Sequence, residues 1–182
     1  MEREVQSDCE LGPVASNLRS RGLLETYSGY PYVDEEEGVA TFLLYNGNKL
    51  VGYQQYRPAA DKKKRNHPRD GRYFTYLPKE TDGLYGLEQD AGRGTLFVVE
   101  GIFKAIKLHN LGYNAISPLG ATPKRLKPYF RVLKATRKLV ALGDNDPAGA
   151  SLVRTVGYGR TTPTDLDEMS DEAVRELVKE YL

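Results

Sequence analysis

The stretch Leu142-Gly143-Asp144-Asn145-Asp146-Pro147-Ala148-Gly149 decides how this chain folds. The run Lys138–Leu142 before it is mostly apolar and predicts a short buried strand, with two aspartates where the strand ends. Side chains two positions apart on an extended backbone point the same way, so both carboxylates face one spot beyond the strand. Pro147 suits the first position of a helix, where its missing N–H costs nothing. The stretch therefore predicts a strand, a carboxylate pair and a helix in succession.

A second apolar run, 95–99, is followed by Glu100-Gly101, and helical spacing begins at Ile102. Ligand sites in open α/β sheets lie at the carboxyl ends of strands. If the two strands are neighbours, Glu100, Asp144 and Asp146 converge there. Oxygen-only clusters of this kind suit Mg²⁺ or Mn²⁺, which also bind phosphate oxygens. A simpler interpretation stays open, in which Asp146 is only the N-cap of a helix and the Asp-x-Asp pair an ordinary loop.

The constellation of Glu100-Gly101, Asp144-x-Asp146 and Ala148-Gly149 resembles the TOPRIM domain of bacterial-type primases, topoisomerases and several nucleases. In that family a Glu-Gly ends one strand, and an Asp-x-Asp ends another before a helix that starts with small residues. The resemblance implies an α/β fold, in which a parallel sheet flanked by helices follows a small antiparallel strand subdomain. It also implies that Glu100, Asp144 and Asp146 are catalytic residues that bind metal.

Further elements upstream narrow the resemblance to primases. The segment Leu50–Arg57, with its Val51-Gly52, is similar to a strand that precedes TOPRIM in bacterial and phage primases. The basic and aromatic segment Arg72–Leu77 and the later Leu84-Tyr-Gly-Leu87 also match in order, and the likeness runs from about Val39 to Gly149. It implies an RNA-polymerase core that makes short RNA primers from nucleoside triphosphates on single-stranded DNA by Mg²⁺- or Mn²⁺-dependent nucleotidyl transfer. It further implies a replicative helicase or a separate zinc-binding module as partner, in bacterial or virus-infected cytoplasm.

The net charge of +1 hides a strong segregation of charge along the chain. Basic residues crowd the segments 62–72 and 124–138, whereas acidic residues concentrate after Pro163. A run of charged residues usually forms a solvated face. Beside a carboxylate site, however, the basic runs favour binding to phosphates. Interleaved tyrosines at positions 53, 56, 73 and 76 suit base stacking, yet alternating aromatics are typical of strands, which favours core packing. The predicted phosphate contacts are Arg57, Lys62, Lys63, Lys64, Arg65, Arg72 and Lys104.

Two more features are interpreted through the resemblance. Primases end TOPRIM with an Asp-x-Asp, and Asp165-Leu166-Asp167 stands at that place, which implies two further metal ligands. The alternative is a polar turn before the last helix. Primases usually carry an aspartate three residues beyond the Glu-Gly glycine, where this chain has Lys104. A lysine facing the site would remove one ligand and contact phosphate, whereas on an outward face it would be a surface residue.

Length and composition fit an ordinary globular protein. The 182 residues suffice for one sizeable core, and the division predicted from the resemblance is an antiparallel subdomain over 1–93 and a TOPRIM subdomain with a C-terminal helix over 94–182. Cys9 is the one cysteine, which leaves no zinc-ligand set. No apolar stretch reaches the length of a membrane span, and the start does not resemble a signal peptide, so we expect a cytoplasmic protein with no membrane contact.

The predicted elements follow from periodicity and turn signals. We expect strands over 39–45, 49–57, 73–77, 96–99, 114–117 and 139–142. We expect helices over 13–25, 102–110, 148–156 and 171–181, and one more after an N-cap at Thr122.

Two other functions remain open. The first is a TOPRIM nuclease that uses the same carboxylates to activate water, which we rank lower because such enzymes usually lack the two upstream elements. The second is a non-catalytic nucleic-acid-binding adaptor of the replisome, which Lys104 and the absent zinc ligands favour.

Overall fold

The first part of the chain forms an antiparallel sheet. The computed structural model describes residues 11–61, 67–79, 81–119 and 126–182. Strands β1–β4 pair in sequence order, and β2 and β3 form the predicted hairpin around Gly47, whose φ is 58°. The bounds are α1 Pro13–Ser20, β1 Tyr32–Asp34, β2 Val39–Asn46, β3 Lys49–Tyr56 and β4 Tyr73–Tyr76.

The second part forms a parallel sheet with strand order β6-β5-β7-β8. Every residue of β5 and β7 is buried, as the two apolar runs predict, and these strands pair directly with Val99 opposite Leu142. The two strands are therefore neighbours, which is what convergence of the carboxylates requires. The bounds are β5 Leu96–Val99, α2 Ile102–Asn110, β6 Asn114–Ile116, α3 Lys127–Thr136, β7 Leu139–Gly143, α4 Pro147–Val156, β8 Gly159–Thr161 and α5 Asp171–Lys179.

Helices cover both faces of the parallel sheet. On one face Phe97 and Val99 pack with residues of α2 and α5, and on the other Leu96 and Val98 pack with residues of α3 and α4. The first of these cores continues into the antiparallel sheet, where the ring of Phe42 meets that of Phe103 edge to face at 5.9 Å. This confirms the predicted α/β fold, and its shared core fixes the antiparallel sheet beside the carboxyl ends of β5 and β7. The division at residue 93 stays a prediction.

A few elements differ from those predicted. The sequence indicated neither β1 nor β8, which are three residues long and carry no buried apolar run. Helix α1 ends at Ser20 rather than near Glu25, because Gly22 has a φ of 79° and breaks the helical path. Ser170 caps α5 as expected, since its Oγ accepts a hydrogen bond from the Ala173 N–H. Thr122 lies outside the described residues. Within those residues, no helix is both long and apolar enough to cross a bilayer.

A buried polar network ties the segment after α1 to α2 and β6. The Nε2 of His109 lies 2.8 Å from the Ala115 carbonyl oxygen, and its Nδ1 lies 2.5 Å from the Tyr27 hydroxyl. Because a carbonyl oxygen only accepts, Nε2 carries the proton and Nδ1 accepts from Tyr27. Burial lowers the pKa of His109 below its ordinary value, although the bond to Ala115 and the charge of Asp90 oppose this. Folding therefore favours the neutral form of His109.

We expect this histidine to make the fold less stable in mild acid. The unfolded chain takes up the proton as the pH falls through about 6.5, whereas folded His109 resists protonation, so stability is lost as the pH falls. Denaturant unfolding from about pH 7.5 to about pH 5.5 should show this loss in the wild type and in His67→Gln, the control at the other, exposed histidine. In His109→Gln the loss of stability with falling pH should be smaller. Equal pH dependence in His109→Gln and His67→Gln would contradict a lowered pKa of His109 in the folded protein.

Candidate active site

An open cleft of about 730 Å³ lies between the antiparallel sheet and the carboxyl ends of β5 and β7. Its walls come from the end of α1, from β3 and β4, from the first turn of α2, and from the loop before α5. The cleft is lined by Ser20, Arg21, Gln54, Tyr56, Arg72, Tyr73, Glu100, Gly101, Ile102, Phe103, Lys104, Leu119, Asp144, Asp165, Asp167 and Glu168.

The carboxylates that follow β5 and β7 meet at one side of this cleft. The N–H of Asp144 donates to Oε1 of Glu100 at 2.9 Å, which fixes the glutamate against the turn after β7. The same turn is pressed against the start of α4, since a Cβ on Gly149 would lie 2.1 Å from the backbone oxygen of Asp144. The small residues at the helix start therefore allow the close approach that places Asp144 beside Glu100.

Asp146 caps α4. Its Oδ1 accepts a hydrogen bond from the Gly149 N–H at 2.7 Å, so the capping interpretation is correct for this oxygen. A cap engages one carboxylate oxygen and leaves the other for a second partner. Asp146 is also near enough to Glu100 for its charge to act on that residue. Its role as a metal ligand remains a prediction.

Glu100 has a raised pKa. Burial is the largest cause, and the negative charges of Asp144 and Asp146 add to it, against the hydrogen bond from Asp144 and the charge of Lys104. Both burial and the neighbouring anions disfavour the charged form of this carboxyl. This electrostatic environment favours a cation.

Lys104 supplies such a cation from the first turn of α2. Its Nζ donates to Oδ1 of Asp144 and lies 3.5 Å from Oδ1 of Asp165. Although burial opposes the charged form, the bond to Asp144 and the charges of Asp144, Asp165 and Asp167 raise the pKa of Lys104. The lysine therefore faces the site, and the interpretation as an outward surface residue is wrong.

Arg21, which the sequence analysis did not single out, brings a second positive charge into the cleft. Its Nη2 lies 2.5 Å from Oδ2 of Asp167, its Nη1 donates to the Tyr73 hydroxyl at 3.2 Å, and its guanidinium lies 3.5 Å from the ring centre of Phe103. The sequence did hold a signal, because position 21 continues the spacing of the buried Val14 and Leu18 around α1. An arginine at that spacing faces the protein rather than solvent.

The donor set can be compared with what a divalent metal requires. In the described ranges no group of three or more His, Cys, Asp or Glu side chains is arranged to hold a metal ion as it stands. The chemistry of Glu100, Asp144 and Asp146 nevertheless suits a hard cation, because all three offer carboxylate oxygens from one end of the sheet. Asp165 and Asp167, the other predicted ligands, lie in the cleft and pair with Lys104 and Arg21.

The predicted phosphate contacts are only partly gathered at the cleft. Arg72 lines it while its Nε donates to the Ala60 carbonyl at 2.9 Å. Arg57 is not among the lining residues, and its Nη2 donates to Oε1 of Gln55 at 3.2 Å. The basic run 62–65 lies outside the described residues.

The four tyrosines divide between the two faces of the antiparallel sheet. Tyr56 and Tyr73 pair at 5.2 Å between ring centres and line the cleft. Tyr53 and Tyr76 stack at 5.4 Å on the opposite face, where 48% of Tyr76 is exposed. Core packing is therefore correct for Tyr56 and wrong for Tyr73 and Tyr76, which are both exposed.

Comparison with known proteins places this geometry in a familiar fold. The sequence matches no protein-family model, and no curated protein matches it significantly. Among solved structures, the primase fragment of the bacteriophage T7 primase-helicase is 18% identical with a TM-score of 0.58, covering 80% of this chain and 64% of its own. The Aquifex aeolicus primase, with zinc-binding and RNA polymerase domains, is 23% identical with a TM-score of 0.56, covering 90% and 45%.

The DnaG primase catalytic domain bound to single-stranded DNA is 18% identical with a TM-score of 0.57, covering 80% of this chain and 52% of that one. This chain thus spans about half to two-thirds of the length of these three solved chains. The likeness shows a TOPRIM primase-like fold.

Proposed function

We propose that this chain is a primase-like enzyme that synthesises short RNA primers on single-stranded DNA by Mg²⁺- or Mn²⁺-dependent nucleotidyl transfer. The observation that carries the proposal is the meeting of Glu100 and Asp144 at the ends of neighbouring parallel strands, in a cleft that also holds Arg21, Arg72 and Lys104. A primase-like fold around these residues supports it.

The residues divide into anionic and cationic groups. Glu100, Asp144 and Asp146 would hold the metal, with Asp165 and Asp167 beside it. When bound, a divalent metal offsets negative charge on the transferring phosphate. Arg72 and Lys104, which line the cleft, would contact triphosphate oxygens, and Arg21 would position Asp167, with which it pairs. The chain needs no covalent nucleophile for this reaction.

The proposed partners follow from the site and from the similar structures. Single-stranded DNA is the template, because the DnaG catalytic domain with this fold binds it. Arg57, which does not line the cleft, and the run 62–65 would add phosphate contacts, which supply affinity independent of sequence. A replicative helicase or a zinc-binding module is a proposed protein partner, since the T7 fragment comes from a primase-helicase and the Aquifex protein carries a zinc-binding domain. We place the reaction in the cytoplasm.

Primer synthesis can be measured directly. Incubation of the chain with single-stranded DNA, labelled ribonucleoside triphosphates and Mg²⁺ or Mn²⁺ should give short labelled RNA, and omitting template or metal should abolish it. The run should be repeated with a helicase and with a zinc-binding module added. If none of these conditions yields RNA, the proposal is wrong.

The adaptor function is the second candidate, and a specific contact favours it. Lys104 engages Asp144, the carboxylate that would otherwise bind metal. An adaptor would bind single-stranded DNA with unchanged affinity after Asp144→Ala and without metal. Metal-dependent loss of labelled nucleic acid in the absence of nucleotides would instead identify a nuclease.

A further inference from the structure

Lys104 is a largely buried lysine. Only 8% of the residue is exposed, and burying an ammonium is costly unless it is paired. Its partners are the carboxylates at the proposed metal site, Asp144 directly and Asp165 at 3.5 Å. The ammonium therefore lies where positive charge is required and where a metal ion would supply it.

The position of Lys104 also brings it into competition with a metal. An ion held by Asp144 would sit close to the ammonium, and two cations at that separation repel each other. A free metal ion can therefore bind only if the bond between Lys104 and Asp144 breaks, or at the cost of repulsion between the ion and the ammonium. The lysine, once displaced, remains in the cleft with Arg72 and needs a new anionic partner.

A triphosphate provides that partner. Its oxygens bind the metal and at the same time accept hydrogen bonds from an ammonium, so one ligand satisfies both cations. We propose that Lys104 makes the site a poor receptor for free divalent metal and a good one for the metal–triphosphate complex. Lys104 is thus a specificity-determining residue of the proposed active site, and this inference rests on the proposed function for its choice of ligand.

The first experiment titrates the metal-free full chain with MnCl₂ by calorimetry, without template or nucleotide. Lys104→Gln should bind Mn²⁺ at least about tenfold more tightly than the wild type, because the competing charge is gone. Lys104→Arg keeps the charge and should stay close to the wild type. The matched control is Lys107→Gln, which removes a lysine from the same helix whose Nζ pairs with Asp171 at 2.5 Å on the surface. Its Mn²⁺ affinity should be unchanged.

The second experiment titrates the same proteins with ATP at saturating Mn²⁺. Here the order of affinities reverses. Lys104→Gln lacks the contact to the triphosphate and should bind ATP about tenfold more weakly than the wild type. Lys104→Arg and Lys107→Gln should keep the wild-type affinity for ATP. Substitution of a residue with a merely structural role would not tighten the binding of Mn²⁺ while weakening the binding of ATP.

The inference is overturned if Lys104→Gln binds Mn²⁺ no more tightly than Lys107→Gln, or if its affinity for ATP is unchanged. Lys104→Met, which keeps the aliphatic stem, should be measured beside it to guard against misfolding. If either neutral variant folds only when Mn²⁺ is present, the inference is supported. If neither variant folds even with Mn²⁺, the inference is overturned. Primer synthesis is not part of these titrations, so failure of the proposed reaction is recognised separately by the absence of RNA product.

Discussion

Replacing Asp144 by asparagine will reduce metal-dependent primer synthesis by on the order of a hundredfold or more, a loss typical of removing one electrostatic group from an active site. An amide oxygen is neutral and binds a hard cation far less well than a carboxylate oxygen. The fold should survive, because asparagine keeps size and shape, its amide oxygen can still accept from Lys104, and Asp165 remains a charged partner of that lysine. The substitution also relieves the repulsion that helps raise the pKa of Glu100.

Rates of RNA synthesis and thermal unfolding should be measured for this variant beside two others. Asp146→Asn should also lose activity but keep the cap on α4, since asparagine caps helices as well as aspartate does. Asp171→Asn is the matched control, because this exposed aspartate pairs with Lys107 away from the cleft. Full RNA synthesis by Asp144→Asn would show that this carboxylate is not catalytic and would contradict the proposed site.

Gly149→Ala will damage the fold and the site together. The new Cβ would lie 2.1 Å from the oxygen and 2.3 Å from the nitrogen of the Asp144 backbone, which has no flexible side chain to yield. Overpacking of this kind typically costs about 1–3 kcal/mol, more than alanine gains in a helix. Because the clash pushes the Asp144 turn away from α4, the hydrogen bond to Glu100 should break and primer synthesis should be lost.

Gly101→Ala is the control for that substitution. Gly101 has an extended backbone with φ −135°, and a Cβ there meets no atom within 4 Å. Its free energy of unfolding should change by no more than about 0.5 kcal/mol. Denaturant unfolding of the two variants gives the comparison, and equal stability would mean that the turn and the helix start can separate without cost.

The sequence predicted the parallel sheet because β5 and β7 carry uninterrupted apolar runs, which only a buried strand or helix accommodates. It predicted the start of α5 because a serine before acidic residues is a local capping signal. β1 and β8 escaped prediction because neither of these three-residue edge strands contains a buried apolar residue, whereas β6, which is equally short and was predicted, buries Ala115 and Ile116.

The same distinction applies to the site. Glu100 and Asp144 were predicted to meet because the carboxyl ends of adjacent parallel strands necessarily share an edge. The orientation of Lys104 could not be settled, since the first turn of a helix faces the cleft or solvent according to how the whole helix packs. The pairing of Lys104 with Asp165 depends on a loop that reaches α2 only in the folded chain.

The contact between Arg21 and Asp167 joins residues 146 positions apart, near the beginning and the end of the described chain. During synthesis on the ribosome the amino-terminal part emerges first and begins to fold before the rest exists. Arg21 therefore stays hydrated and without this partner until residue 167 has been translated. The cleft is consequently incomplete until the loop preceding α5 has been translated, so a nascent chain that stalls before this loop would lack both part of the site and the core residues of α5.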